Sequence, residues 1–174
     1  EGGHVVDAEG AYSSIRRAAQ GIGEELGVPI SATSVPLTAD YRHDLDGMLK
    51  VIKPETKILG VTLLYSYEWL IQRDVIKAIK ARFPKIIIVV GGEHPTALPE
   101  YVLRDCPEVD FAVSGEGEFT FLQLVSCIFY SREYQSISGV SYIDEKDEFI
   151  SNGLSNRIAH IDDIPRPAWD LCNV

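Results

Sequence analysis

Between Ile86 and Glu118 the sequence reads IIIVVGGEHPTALPEYVLRDCPEVDFAVSGEGE, two short apolar runs that each stop at a glycine turn. Runs this short and this rich in Ile and Val suit strands buried on both faces, with room for one helix between them. A strand–helix–strand unit of this kind lays its two strands parallel. Both turns, Gly91-Gly92-Glu93-His94-Pro95-Thr96 and Ser114-Gly115-Glu116-Gly117-Glu118, then fall at the carboxyl ends of neighbouring strands. That is the edge at which open α/β sheets bind ligands.

The same alternation runs through most of the chain. Strands are predicted at His4–Ala8, Pro29–Val35, Lys57–Leu64, Ile86–Val90 and Phe111–Val113. Proline flanking confines the second of these to a sheet edge, and KILGVTLL reads as a strand buried on both faces. About fifty residues separate Asp7 from Lys57, room for helix, strand and helix, so His4–Ala8 is read as the first strand. As a central strand it would bring Asp7-Ala8-Glu9-Gly10 to the same rim.

Helices are predicted at Tyr12–Leu26, Asp44–Ile52, Glu68–Phe83, Thr96–Arg104 and Glu118–Phe129. Asp44 and Thr96 stand at N-cap positions, and Pro99 falls in a first turn, where its missing N–H costs nothing. Ile71, Val75, Ile76, Ile79 and Phe83 mark the inner face of one helix, and Phe121, Leu122, Leu124, Val125, Ile128 and Phe129 that of another.

Residues 1–130 are therefore expected to form a doubly wound, parallel, five-stranded α/β sheet, flavodoxin-like or Rossmann-like in class. Residues 131–160 read as a β-hairpin extension, Gly139–Ile143 and Glu148–Ser151 around the polar turn Asp144-Glu145-Lys146-Asp147. Residues 161–174, with Ile164-Pro165-Arg166-Pro167, read as an extended linker. The chain starts without Met and stops after PAWDLCNV, so a piece of something longer is expected.

Composition removes several function classes. A net charge of −10 without a basic stripe argues against nucleic acid held through its phosphates. The longest apolar runs fall far short of the ~20 residues a membrane span needs, and no signal segment opens the chain. Cys106, Cys127 and Cys172 include no Cys-x-x-Cys pair, so reduced thiols in a cytoplasmic protein are expected rather than a zinc knuckle or a disulfide framework. His4, His43 and His160 lack metal-ligand partners in sequence, and no metal ligand or catalytic residue is assigned within the chain.

GGEHPTALPEYVL, VDFAVSGEGE, ISGVSYIDEKDEFISNG and IDDIPRPAWDL follow one another in that order. With that order the chain resembles the N-terminal cobalamin (B12)-binding domain of B12-dependent radical SAM enzymes, the class of methylases and anaerobic cyclases. The match runs from about Lys57 to Leu171. The family's three-cysteine iron–sulfur motif is absent, and so is the Asp-x-His-x-x-Gly motif that supplies a cobalt ligand in other B12 modules. The resemblance implies cobalamin in this domain. It places the [4Fe–4S] cluster and S-adenosylmethionine in a radical SAM domain that follows the linker, with methyl transfer or radical cyclisation as the parent's reaction.

Cobalamin is a flat corrin bearing amides, with a nucleotide tail. By resemblance, Gly91, Gly92, Glu93, His94 and Thr96 would meet the tail, with Ser114, Gly115, Glu116 and Gly117 beside it. The loop Thr62-Leu63-Leu64-Tyr65-Ser66-Tyr67-Glu68-Trp69 would lie under the corrin, with Tyr65, Tyr67 and Trp69 as unranked candidates to cover the lower face of cobalt. Thr62, Leu64 and Ser66 complete that set. Each feature also has a plainer reading. The glycines can simply make tight turns, Glu118 can be a first-turn acid favoured by the helix dipole, and Trp69 can pack a helix core; Glu116, on the functional reading, bonds a neighbouring loop or the ligand. The rival function is a degenerate relative of the fold that serves as a protein-interaction or substrate-docking module without cobalamin.

Overall fold

The computed structural model describes residues 3–8, 30–35, 45–53, 56–160, 162 and 164. The expected helix Tyr12–Leu26, the residues Glu9, Gly10 and Asp44, and most of the linker lie outside them. The chain divides into two compact units, Lys57–Ala159 and a second made of Glu1–Thr56 with His160–Val174. In the second unit, strand β1 (Gly3–Ala8) pairs in parallel with β2 (Ile30–Val35), in register from Gly3 opposite Ile30 to Ala8 opposite Val35. Helix α1 (Leu45–Val51) follows, with Asp46 in its first turn and Lys50 in its last, as the helix dipole favours.

The unit Lys57–Ala159 is one five-stranded mixed sheet with helices alternating along the chain, a flavodoxin-like arrangement. Its strands are β3 (Ile58–Thr62), β4 (Ile87–Gly91), β5 (Phe111–Val113), β6 (Val140–Ile143) and β7 (Phe149–Ser151), side by side in that order. β3, β4 and β5 are parallel; β6 and β7 are antiparallel to their neighbours. The hairpin expected as an extension is thus part of the sheet, with Val140 paired to Val113 and Ser141 to Ala112. Within this unit three strands are parallel and the hairpin adds two antiparallel ones.

The apolar runs behave as their composition dictates. Ile88 and Val90 are fully buried, as are Ala112 and Val140, and Phe111 and Val113 nearly so. Val89 joins Phe111, Val113, Leu124, Ile137, Val140 and Tyr142 in one cluster, while strand alternation turns Ile88 and Val90 to the opposite face. β3 is less buried than expected: Gly60 and Thr62 are exposed, and among the described residues β3 borders the sheet.

Helix α2 (Trp69–Arg82) shows a different inner face from the one its spacing predicts. Trp69, Gln72, Ile76 and Ile79 are buried, Val75 and Phe83 are half-buried, and Ile71 faces outward at 57% exposure. The buried indole of Trp69 sets this rotation, as described below.

The helix expected from Thr96 is two pieces, α3 (Glu93–Ala97) and α4 (Pro99–Asp105), broken at Leu98 with φ −137° and ψ 54°. Pro99 bars Leu98 from helical backbone, so α3 ends and Pro99 opens α4. Thr96 is therefore no N-cap. Helix α5 (Gly117–Phe129) buries Thr120, Leu124 and Val125, with Glu118 in its first turn. Phe129, expected inside, is 42% exposed and lies under the Lys57 ammonium.

Candidate functional site

The carboxyl ends of β3, β4 and β5 come together as the sequence implies. The residue after β3, Leu63, donates its N–H to the Gly91 carbonyl (2.7 Å) and accepts from the His94 N–H (3.1 Å). The loop after β3 and the glycine turn after β4 are thereby laced into one rim. The His94 amide is spent on Leu63.

Adjacent glycines at this rim serve different ends. Gly92 has φ 106° and ψ −171°, a conformation essentially confined to glycine. A Cβ there would stand 2.6 Å from the Leu63 carbonyl oxygen. Gly92 is thus required by its own backbone neighbour. Gly91 has ordinary strand geometry, and a Cβ there would meet only Val113, at 3.8 Å or more. Gly117 likewise looks onto Val113, at 3.7 Å. Gly91 and Gly117 together leave a bare, half-buried edge over Val113, beside exposed Thr62.

The second turn is tied to the first. Thr96 Oγ1 accepts the Gly115 N–H (3.0 Å), and Ser114, buried, places its hydroxyl 3.5 Å from the Pro95 carbonyl. Gly115 also has positive φ, 87°, and a Cβ there would collide with Ser155 Oγ at 2.6 Å. So Gly115 faces the chain that returns from the hairpin. Glu116 bonds that same returning segment, its Oε2 accepting the Ile158 N–H at 2.6 Å. Glu93 is exposed.

The aromatic loop divides into an inner and an outer part. Trp69 is 3% exposed; its Nε1 donates to Asp105 Oδ2 (2.8 Å), which also accepts from Arg73 (3.0 Å). These two donors hold the Asp105 carboxyl below its ordinary range. Trp69 thus packs the core between α2 and α4, one of the two readings its sequence position allowed. Its indole lies against His94, ring centroids 5.3 Å apart, and near Tyr101 at 6.5 Å.

Tyr65 and Tyr67 face outward, 55% and 78% exposed, with rings stacked at 5.4 Å and 13° between planes. Leu64 and Ser66 are exposed beside them. Two planar rings at an open rim offer a face for a flat ligand.

His94 is a buried support. It is 3% exposed, its Nδ1 is 2.9 Å from Ser66 Oγ, and its Nε2 is buried with no hydrogen-bond partner. Burial lowers its pKa below the ordinary 6.5. A group easier to protonate when unfolded lowers stability as pH falls, beginning near its unfolded pKa. The His94 contribution to the melting temperature is therefore expected to be level above pH 6.5 and to turn destabilising below it. His94→Gln should flatten that slope between pH 7 and 5. An unchanged slope in the variant would show that His94 does not titrate on unfolding.

Ser155 and Ile158 are the rim residues that sequence reading missed. Asn152-Gly153 signals a reversal after β7, but nothing local says where the chain lands. Cys106 and Cys127 are free thiols. Burial pushes the Cys106 thiol up to about 12, which makes it inert. No cluster of three or more potential metal ligands occurs among the described residues, and none of their helices is long and apolar enough to cross a membrane.

Comparison with known proteins bears on what this rim is for. A family model described as the B12 binding domain matches residues 17–125. An uncharacterized methyltransferase of Pyrococcus horikoshii is 33% identical over 171 residues, spanning 91% of this chain and 36% of the relative. An anaerobic magnesium-protoporphyrin IX monomethyl ester cyclase of Synechocystis sp. is 30% identical over 96 residues, spanning 55% of this chain and 19% of the relative. The chain thus spans well under half the length of either. The solved structure of OxsB, a cobalamin-dependent S-adenosylmethionine radical enzyme with aqua-cobalamin and S-adenosylmethionine bound, superposes with a TM-score of 0.75 at 16% identity. It covers 98% of this chain and 25% of that one. At that identity the likeness shows the shared fold.

Proposed function

Because the chain belongs to the B12-binding domain family, we propose that it is the cobalamin-holding part of a longer B12-dependent radical SAM enzyme. The observation that carries this reading is the bare edge of Gly91 and Gly117 over Val113. A flat macrocycle fringed with neutral amides needs close approach to main chain more than it needs a charged cleft, and glycine permits that approach. The rim segments 91–96 and 114–118 carry carboxylates and no Lys or Arg, acceptors suited to amide N–H groups.

On this reading Gly91, Gly117, Thr62 and Glu93 touch the ligand. Tyr65 and Tyr67 lie against a corrin face, with Leu64 and Ser66 beside them. Gly92, His94, Thr96, Ser114, Gly115 and Glu116 shape the groove from behind, because their contacts are with protein. When bound, cobalamin supplies a cobalt able to carry a methyl group. The residues of this chain hold it, orient it and keep water from one face. S-adenosylmethionine and a [4Fe–4S] cluster belong, in the proposal, to a radical SAM domain reached through residues 161–174. Methyl transfer or cyclisation is that enzyme's reaction. Free thiols fit a reducing compartment, so the cytoplasm is the proposed setting.

The test is retention. The chain is mixed with hydroxocobalamin, desalted anaerobically and examined by visible spectroscopy. Corrin absorbance is expected to travel with the protein, without the band shift of a protein nitrogen on cobalt. Well-folded protein that emerges colourless would rule the reading out.

A further inference from the structure

After β7 the chain does not leave the domain but runs back over the rim. Asn152 Nδ2 donates to the carbonyls of Gln135 and Ile137, both at 2.9 Å, and its N–H to Val140 at 3.1 Å. Ser138 Oγ donates to the Leu154 carbonyl (3.0 Å), and the Ser155 N–H to the Ser114 carbonyl (3.0 Å). Gly115 and Gly139, both at positive φ, leave the space that Ser155 fills. Up to Ser155 the path is therefore set by shape, by main-chain bonds and by the uncharged side chains of Asn152 and Ser138.

Beyond Ser155 the fastening is of another kind. The Ile158 N–H is held by the carboxylate of Glu116 at 2.6 Å. Glu116 stands at the N-cap of α5 and makes no side-chain bond to its own helix. It is also exposed, so packing does not fix it. Its acceptor capacity is turned away from α5 and onto the outgoing chain.

We propose that Glu116 is a positioning residue, a clamp that fixes where the chain leaves the ligand rim and so where the segment after Ile158 is delivered. Its functional weight rests on the cobalamin reading above: a reacting centre in a following domain must come over the same edge, and small misplacements there are costly. The clamp itself rests on the contacts of Glu116.

Amide hydrogen exchange in the full chain tests it, with Glu116→Gln and Glu116→Ala, and Glu118→Gln as the neighbouring control. A charge-assisted bond of this kind should slow exchange at Ile158 by about tenfold or more relative to Glu116→Ala. Glu116→Gln, which keeps a neutral acceptor, should fall between, and Glu118→Gln should match the parent. Amides of β5 and of Ser155 should stay protected throughout. Unchanged exchange at Ile158, or faster exchange spread equally across β5, would overturn the clamp. Cobalamin retention by the parent, measured on the same samples, separates the two ideas: colourless protein removes the proposed function, and the exchange pattern still decides the clamp.

Discussion

Gly92→Ala is expected to destabilise the unit Lys57–Ala159 by roughly 2–5 kcal/mol, among the largest effects open to a single methyl group. Two costs combine. The backbone at φ 106° and ψ −171° is disfavoured for any residue with a side chain. The new Cβ would also stand 2.6 Å from the Leu63 carbonyl oxygen. That oxygen cannot simply move, because it accepts the His94 N–H while the Leu63 N–H is held by Gly91. Relief therefore means opening the lacing between the loops after β3 and β4. A thermal melt should show Tm lowered by about 10 °C or more for a unit of this size. A variant melting within about 2 °C of the parent would show that Leu63 is no fixed wall. Substitution at Gly92 is thus a poor probe of ligand binding, since folding and binding fall together.

Much of this rim is legible in sequence because its signals are local. An Ile/Val run ending in two glycines can be little other than a buried strand and a tight turn, and the structure has both at Ile87–Gly91 and Gly92. What stayed hidden depends on partners distant in the chain. The outward turn of Ile71 follows from Trp69 reaching Asp105, a bond no helical period reveals. Pro99, read as a first-turn residue of one helix, in fact breaks that helix at Leu98, and the use of Thr96 as a partner for Gly115 had no local signal. The hairpin was visible as a hairpin, yet nothing in Val140–Ser151 names β5 as the strand it joins. The glycines were visible as a set. Which of them is bare and which is wedged against Leu63 or Ser155 is a property of the folded rim alone.

That division among the glycines yields the sharpest test of function. Gly91→Val is expected to leave the fold intact and to weaken cobalamin retention by at least about tenfold, the scale of overfilling a close-packed contact. Gly91 ends β4 with strand geometry, paired with Thr62 on one side and Val113 on the other, and a β-branched residue suits that backbone. An added Cβ would meet only Val113, at ordinary contact distances. The melt should therefore stay close to the parent's, in contrast to Gly92→Ala one residue away. The two extra methyl groups would then occupy the bare edge over Val113 that the proposal gives to the ligand. If Gly91→Val keeps both its melting temperature and its corrin colour, that edge is not where cobalamin approaches. The ligand contact would then have to be sought at the outward face of Tyr65 and Tyr67, where two stacked, exposed rings are the rim's other surface shaped for a flat molecule.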